Sequence, residues 1–288
     1  MLTWLDTILQ GVMLGGLYAL FAMGLSLMFG VMRLVNVAHG DFVILTAFAG
    51  FVITDTLHVS PFVAMLLVVP LAFAIGYAVQ RGVLSHTISK DPLPSLVVTF
   101  GISIIIQNLL LELFSADTRS INAGGLETAS FAIGNGLAVG WLPLMIFGTA
   151  LAMTLAFQWL FGNTGLGRAF RATSDDPEAA ALMGVNNQRV YALATAIAIG
   201  ILGVAGVFHG MRTTIAPGDG PAQLIYAFEA VIIGGMGSFW GTFAGGSILG
   251  VAQSIGFRID PGWGILVGHL VFIAVLLFKP SGLFPKTR

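Results

Sequence analysis

The 288-residue sequence contains no cysteine. Disulfides, thiolate metal sites and cysteine nucleophiles are therefore excluded. Charge is also scarce. Only 9% of residues are Asp, Glu, Lys or Arg, about a third of the share usual in soluble domains. Twelve basic residues against thirteen acidic ones leave a net charge of −1, so there is no basic excess to bind nucleic acid. No G-x-x-x-x-G-K-[ST] segment occurs, so the chain has no P-loop and is not the ATPase of a pump. What it has in plenty is apolar surface: 57% of residues are hydrophobic and mean hydropathy is +0.94. Those values exclude both an ordinary soluble domain and a disordered chain. Glycine, at 38 residues, is roughly twice its average share. Glycine-rich apolar sequence marks closely packed transmembrane helices, where a missing side chain lets backbones approach. The expected fold class is all-α, a polytopic transmembrane helical bundle forming one domain over 1–288.

A spanning helix needs about 20 mostly apolar residues. Such runs extend over about Ile8–Gly30, Val35–Ile53, Pro61–Val79, Leu93–Phe114, Leu137–Phe161, Val190–Met211 and Gly264–Phe278. No Lys or Arg precedes the first run, so it reads as a retained span and not as a secretory signal, which needs a basic start and a shorter apolar core. The stretch Leu224–Ile255 is too long for one span and is interrupted by Gly234-Gly235-Met236-Gly237-Ser238. It reads as a kinked helix, a broken helix or a tight helical pair. The total is about eight spans, or about nine if this stretch passes twice.

Short cytoplasmic loops collect Lys and Arg. Arg81 and Lys90 flank the connection between the third and fourth runs, and Arg168, Arg171 and Arg189 lie between the fifth and sixth. Both connections are thus expected inside and the N-terminus outside. The basic tail from Lys279 to Arg288 also looks cytoplasmic, which eight passes do not allow and nine do.

Polar groups at membrane depth usually pair with one another or line a cavity. Asn36-Val37-Ala38-His39-Gly40-Asp41 puts three strong polar groups at the start of an apolar run. It reads as either part of a pathway or a helix start at the membrane interface. Glu229 lies inside an apolar run and needs a partner or a cavity. Gly234, Gly235 and Gly237 read as close packing or a hinge. Between the fifth and sixth runs, Asp176 suits an N-cap, Pro177 the first helical position and Glu178 the acidic first turn. Ala179, Ala180, Ala181, Leu182 and Met183 favour helix, and Gly184 stands where a C′ glycine belongs. This gives a capped helix far too short to span, either a surface helix lying on the membrane or a docking knob for a cytosolic partner.

These segments resemble the permease subunits of branched-chain (hydrophobic) amino-acid ABC importers, over nearly the whole chain. Gly16-Leu17-Tyr18-Ala19-Leu20 and the run Gly24 to Asp41 are similar to that family's N-terminal block. Gly167-Arg168-Ala169-Phe170-Arg171-Ala172, with Asp176, Ala179, Ala180 and Met183-Gly184-Val185-Asn186, is similar to its coupling loop, and Glu229 to Ser238 to a third block. The N-terminal block is closer to the smaller of the two paralogous permeases. The resemblance implies half of a pore, paired with a second related permease in the inner membrane of a bacterium. Two cytosolic ATPase subunits, which carry the ATP and Mg, dock on a coupling segment at about 163–187. A periplasmic binding protein delivers the small-molecule substrate. No catalytic residue, metal or cofactor is expected on this chain. The coupling residues implied are Gly167, Arg168, Arg171, Asp176, Glu178, Ala179, Ala180 and Gly184, with Ala180 meeting the ATPase. The pathway candidates are Asn36, His39, Gly40 and Glu229.

Permeases for urea, short amides and aromatic acids share much of these motifs, so the machine is better defined than the cargo. A secondary transporter would need coupling-ion groups, for which Glu229 and the Asn36–Asp41 cluster are the candidates, and would leave the short capped helix unexplained. An intramembrane hydrolase would need clustered ligands such as H-E-x-x-H, whereas His39, His58, His86, His209 and His269 are dispersed.

Overall fold

The computed structural model describes residues 2–87, 93–134 and 137–284. Among these, eleven α-helices follow in order: α1 (Leu2–Met32), α2 (His39–Leu57), α3 (Pro61–Gly82), α4 (Leu93–Phe114), α5 (Trp141–Asn163), α6 (Gly165–Asp175), α7 (Pro177–Leu182), α8 (Asn187–Arg212), α9 (Gly220–Gly234), α10 (Phe239–Ile259) and α11 (Trp263–Phe278). The helices α1, α2, α3, α4, α5 and α8 are each long and apolar enough to cross a membrane. The pair α9 and α10 passes that test together, bent by 117°, and α11 is a shorter apolar helix. The ambiguous stretch Leu224–Ile255 is therefore a helical pair. The multi-pass helical architecture is as expected, with two local corrections. Leu137–Gly140 is not the start of the fifth span but strand β2, paired antiparallel with β1 (Ser130–Gly134). The second helix starts at His39, not Val35, because 33–38 is unwound behind Arg33 at φ 53°.

α1 and α8 occupy the middle of the bundle. Both are apolar around their whole circumference, and 83% of the apolar window of each is buried, against 17% for α5. Close packing here depends on small residues. A Cβ on Gly15 of α1 would overlap Ser247 and the Gly246 carbonyl of α10, and a Cβ on Gly250 would overlap the Gly11 carbonyl. The outer helices α3, α4, α5 and α11 turn Leu, Ile, Val, Phe and Trp outward, including Leu66, Ile105, Leu155 and Leu277.

Two helices begin part-way through the bundle. The His39 ring nitrogen Nε2 lies 2.8 Å from the Phe21 carbonyl, about three turns back from the end of α1. From there α2 runs along α8, with Thr46 Oγ1 donating to the Leu202 carbonyl at 2.8 Å and Gly50 beside Val207. α9 starts at the same depth. A Cβ on Gly40 would overlap the Gly220 carbonyl, and one on Gly220 would overlap the Asp41 carboxylate. It runs the other way, so that the bend before α10 brings Gly237 next to Gly30 at the end of α1. The start of α2 and the start of α9 therefore meet inside the bundle, and the two helices leave toward opposite ends.

α10 then returns along α1, and α11 comes back beside α10. The amides of Leu283 and Phe284 donate to the carbonyls of Ile233 and Gly234, each at 2.9 Å. The chain beyond α11 thus lies at the same end as Gly30, α6 and α7. The 117° bend between α9 and α10 turns the chain back, which removes the conflict that the basic tail posed. Lys90, Lys286 and Arg288, which contributed to the charge argument, lie outside the described residues.

Candidate functional site

The segment between α5 and α8 is built from reciprocal caps. The Thr164 side chain accepts from the Gly167 amide at 3.1 Å and starts α6, a helix that the sequence reading had not separated from α7. Gly167 itself must be glycine-like, because a Cβ there would overlap the Leu160 carbonyl and Phe161. Phe170, fully buried, lies 5.3 Å from the Phe161 ring and pins α6 to α5. Asp176 Oδ1 accepts from the amides of Glu178 and Ala179 at 2.9 and 3.0 Å, an N-cap with Pro177 at the first helical position. At the other end Gly184 has φ 88°, and the Val185 amide reaches back to the Ala180 carbonyl at 3.0 Å, the Schellman closure of a helix.

Residues that sequence reasoning passed over fix this segment to the bundle. Asn187 Nδ2 donates to the Pro177 carbonyl at 2.6 Å, and Asn187 Oδ1 accepts from the Thr173 hydroxyl at 3.2 Å. Ser174 donates to the Gly30 carbonyl at 2.6 Å. Arg168 is exposed and Arg171 half-buried on α6. One expectation is corrected. Ala180 is 5% exposed and turned into the chain, whereas Leu182 and Met183 at the tip are 89% and 85% exposed. In so short a helix the last turn swings outward and the middle faces the fold, so the surface free to meet a partner is Leu182 and Met183 with Ala179 and Ala181. Next to this segment a cleft of about 630 Å³ opens between the end of α1, the start of α4 and α6–α7, with Arg33, Ser95, Asp175 and Glu178 in its wall.

At the start of α2 the side chains satisfy unwound backbone. Asn36 Oδ1 accepts from the Ala38 amide at 3.1 Å, and the Asn36 carbonyl accepts from the His39 amide at 3.1 Å. The His39 ring donates through Nε2 to Phe21, since a carbonyl can only accept. Asp41 Oδ1 accepts from Gln107 of α4 at 2.9 Å. Asn36 and His39 are both buried within the chain's own fold. Glu229 is separate from this cluster: its Oε1 accepts from His269 Nδ1 of α11. Nearby, Tyr18 of α1 donates to Gln253 of α10 at 2.5 Å and its ring lies 5.0 Å from that of Tyr226. His269 is the sole titratable side chain in the apolar run of α11, which was the signal for it. Gly235 and Gly237, at φ 108° and 80°, form the bend between α9 and α10, and Gly234 packs on Gly241.

A family model described as branched-chain amino acid transport system / permease component matches residues 7–277. The chain belongs to that permease family. The permease is 29% identical to the high-affinity branched-chain amino acid transport system permease protein BraD of Pseudomonas aeruginosa, over 98% of this chain and 96% of that one. It is 30% identical to the corresponding protein LivH of Escherichia coli, over 99% and 96%. Among solved structures, PsaBC from Streptococcus pneumoniae, in complex with Fab, is similar in fold alone, at TM-score 0.50 and 15% identity, covering 94% of this chain and 91% of that one. The protein is thus a multi-pass membrane permease subunit of an ABC importer, a transport component of a machine whose family pairs permeases with one another and with ATPases.

Proposed function

We propose that this permease forms one half of a pore that carries branched-chain or other hydrophobic amino acids across a bacterial inner membrane, as a single domain spanning 1–288. Its other half is a second, related permease. Two cytosolic ATPase subunits bind and hydrolyse ATP with Mg, a periplasmic protein delivers the amino acid, and this chain performs no catalysis and holds no cofactor. Membrane lipid surrounds the outer helices.

The observation that carries the reading is the capped helix α7 with two large apolar side chains, Leu182 and Met183, exposed at its tip. Such side chains at the tip of a polar, anchored segment suit a contact with a cytosolic partner. Gly167, Asp176, Glu178 and Gly184 give the segment its shape, Arg168 and Arg171 hold it on the cytoplasmic side by the charge rule, Ala180 packs α7 against the fold, and Ala179 belongs to its exposed surface. Asn36, His39 and Gly40 fix the interruption from which α2 starts, and Glu229 offers a polar point in the pathway. Gly234, Gly235 and Gly237 allow the bend to pack and to hinge. The test is ATP-driven uptake of leucine by the full assembly reconstituted in vesicles with its binding protein. Uptake of urea in place of leucine would overturn the cargo reading.

A further inference from the structure

All five tryptophans are exposed and stand near helix ends. Trp4, Trp141 and Trp263 lie at the starts of α1, α5 and α11, and Trp159 and Trp240 at the opposite end of the bundle, the end that carries α7. Tryptophan so placed marks the headgroup level of a membrane. At the level of Trp4 a cleft of about 390 Å³ opens between the starts of α1 and α5 and the ends of α8 and α10. Its polar wall is Asp6, Thr7, Gln10, Arg212, Ser254 and Arg258. Thr7 and Gln10 already donate to the carbonyls of Thr3 and Ala138, each at 2.9 Å. The guanidinium groups of Arg212 and Arg258 have neither a carboxylate within ion-pair distance nor a hydrogen-bond acceptor among the described residues. Arg258 lies over the Trp4 ring, 5.8 Å from its centre, and stacking of this kind leaves the in-plane N–H groups free. Phe257 in the wall is exposed, as are Leu5 and Ile8 on α1 beside it.

We infer that this cleft binds the headgroup of an anionic phospholipid, its phosphate held by Arg212 and Arg258 and its acyl chains lying against Leu5, Ile8 and Phe257. A phosphodiester presents two free oxygens to the guanidinium forks, which recognise phosphate in this way. Basic pockets between spanning helices at headgroup depth are where anionic lipids bind. Asp6 selects among headgroups. With two guanidinium groups and one carboxylate in the wall, the single charge of phosphatidylglycerol leaves the site neutral, whereas a choline headgroup brings a further cation and leaves it positive. A free phosphate shares the chemistry of the headgroup but makes no use of the exposed apolar side chains beside it. The inference is independent of the cargo.

The test titrates the assembled importer, in an uncharged detergent, with phosphatidylglycerol or with phosphatidylcholine, and counts bound lipid by native mass spectrometry. Phosphatidylglycerol should fill a site at a concentration about tenfold below that of phosphatidylcholine. Arg212→Gln and Arg258→Gln should each weaken that binding about tenfold, while Arg258→Lys, which keeps the charge, should retain most of it. Asp6→Asn removes the opposing carboxylate and should tighten the binding, a gain that a damaged fold does not produce. Equal binding of the two lipids overturns the site, as does phosphatidylglycerol binding that both Gln variants leave unchanged. Weaker binding in Asp6→Asn overturns the charge balance assigned to the wall. Displacement of phosphatidylglycerol by an equal concentration of inorganic phosphate overturns the lipid and assigns the cleft to a free anion.

Discussion

Ser174 donates its hydroxyl to the Gly30 carbonyl at 2.6 Å, joining α6 to the end of α1. Gly30 in turn touches Gly237 in the bend between α9 and α10. The two contacts place α6, the end of α1 and the bend in one continuous chain of contacts, with no side chain between Gly30 and Gly237. Ser174→Ala removes the first link at a stability cost of about 1 kcal/mol. Pull-down of the ATPase should be unchanged, while leucine transported per ATP hydrolysed falls several-fold. An unchanged ratio would show that the link carries no motion.

Leu182 and Met183 should behave unlike Ala180. Leu182→Asp changes an exposed side chain and should shift stability by no more than about 0.5 kcal/mol, yet abolish ATPase capture and substrate-stimulated hydrolysis. Ala180→Arg places a charge where the chain is already packed, which is costly without a partner. It should lower the thermal stability of the permease itself, seen before any partner is added. Equal melting temperatures for the two variants would contradict the inward position of Ala180.

Gly40 and Gly220 have no room for a methyl group. Gly220→Ala should cost about 1–3 kcal/mol from overpacking and reduce the folded permease recovered from membranes. Gly148→Ala is the control. That glycine has open space around it, and removing a helix glycine there should be neutral or stabilising by up to about 1 kcal/mol.

Gly235→Leu combines an unfavourable backbone region, worth about 1–3 kcal/mol, with the loss of close contact to Gly282. The amount of assembled complex should fall, as measured by co-purification of the ATPase. Asn36→Leu leaves the Ala38 amide without its acceptor. Uptake should fall while insertion into the membrane is preserved, and normal uptake at normal expression would count against a role for this turn.

Much of this fold was legible because the membrane imposes length and composition on each helix. The bounds of α4 and α7, the Asp176 cap and the Gly184 stop are local matters, set by residues adjacent in sequence. What the sequence did not disclose are relationships across the chain. Asn187 reaching Pro177 and Thr173, Ser174 reaching Gly30, and His269 reaching Glu229 each join residues whose meeting depends on tertiary packing. The orientation of Ala180 failed for a related reason. On a helix of under two turns, small residues fit either face, so alternation of size does not reveal the buried one. The hairpin before α5 was hidden because Leu137–Gly140 is as apolar as the helix it precedes.

The meeting of Gly40 with Gly220 has a consequence for biogenesis. During synthesis α2 enters the membrane long before α9 exists, since chains emerge from the N-terminus. Until then, the polar start of α2, with Asn36, His39 and Asp41, lacks the neighbour that later closes over it. In a nascent chain halted after α8, Asp41 is held by Gln107 of α4 but the side of it that Gly220 later covers is open. Arrival of α9 closes that side, so completion of the fold is registered at one buried point far from either terminus.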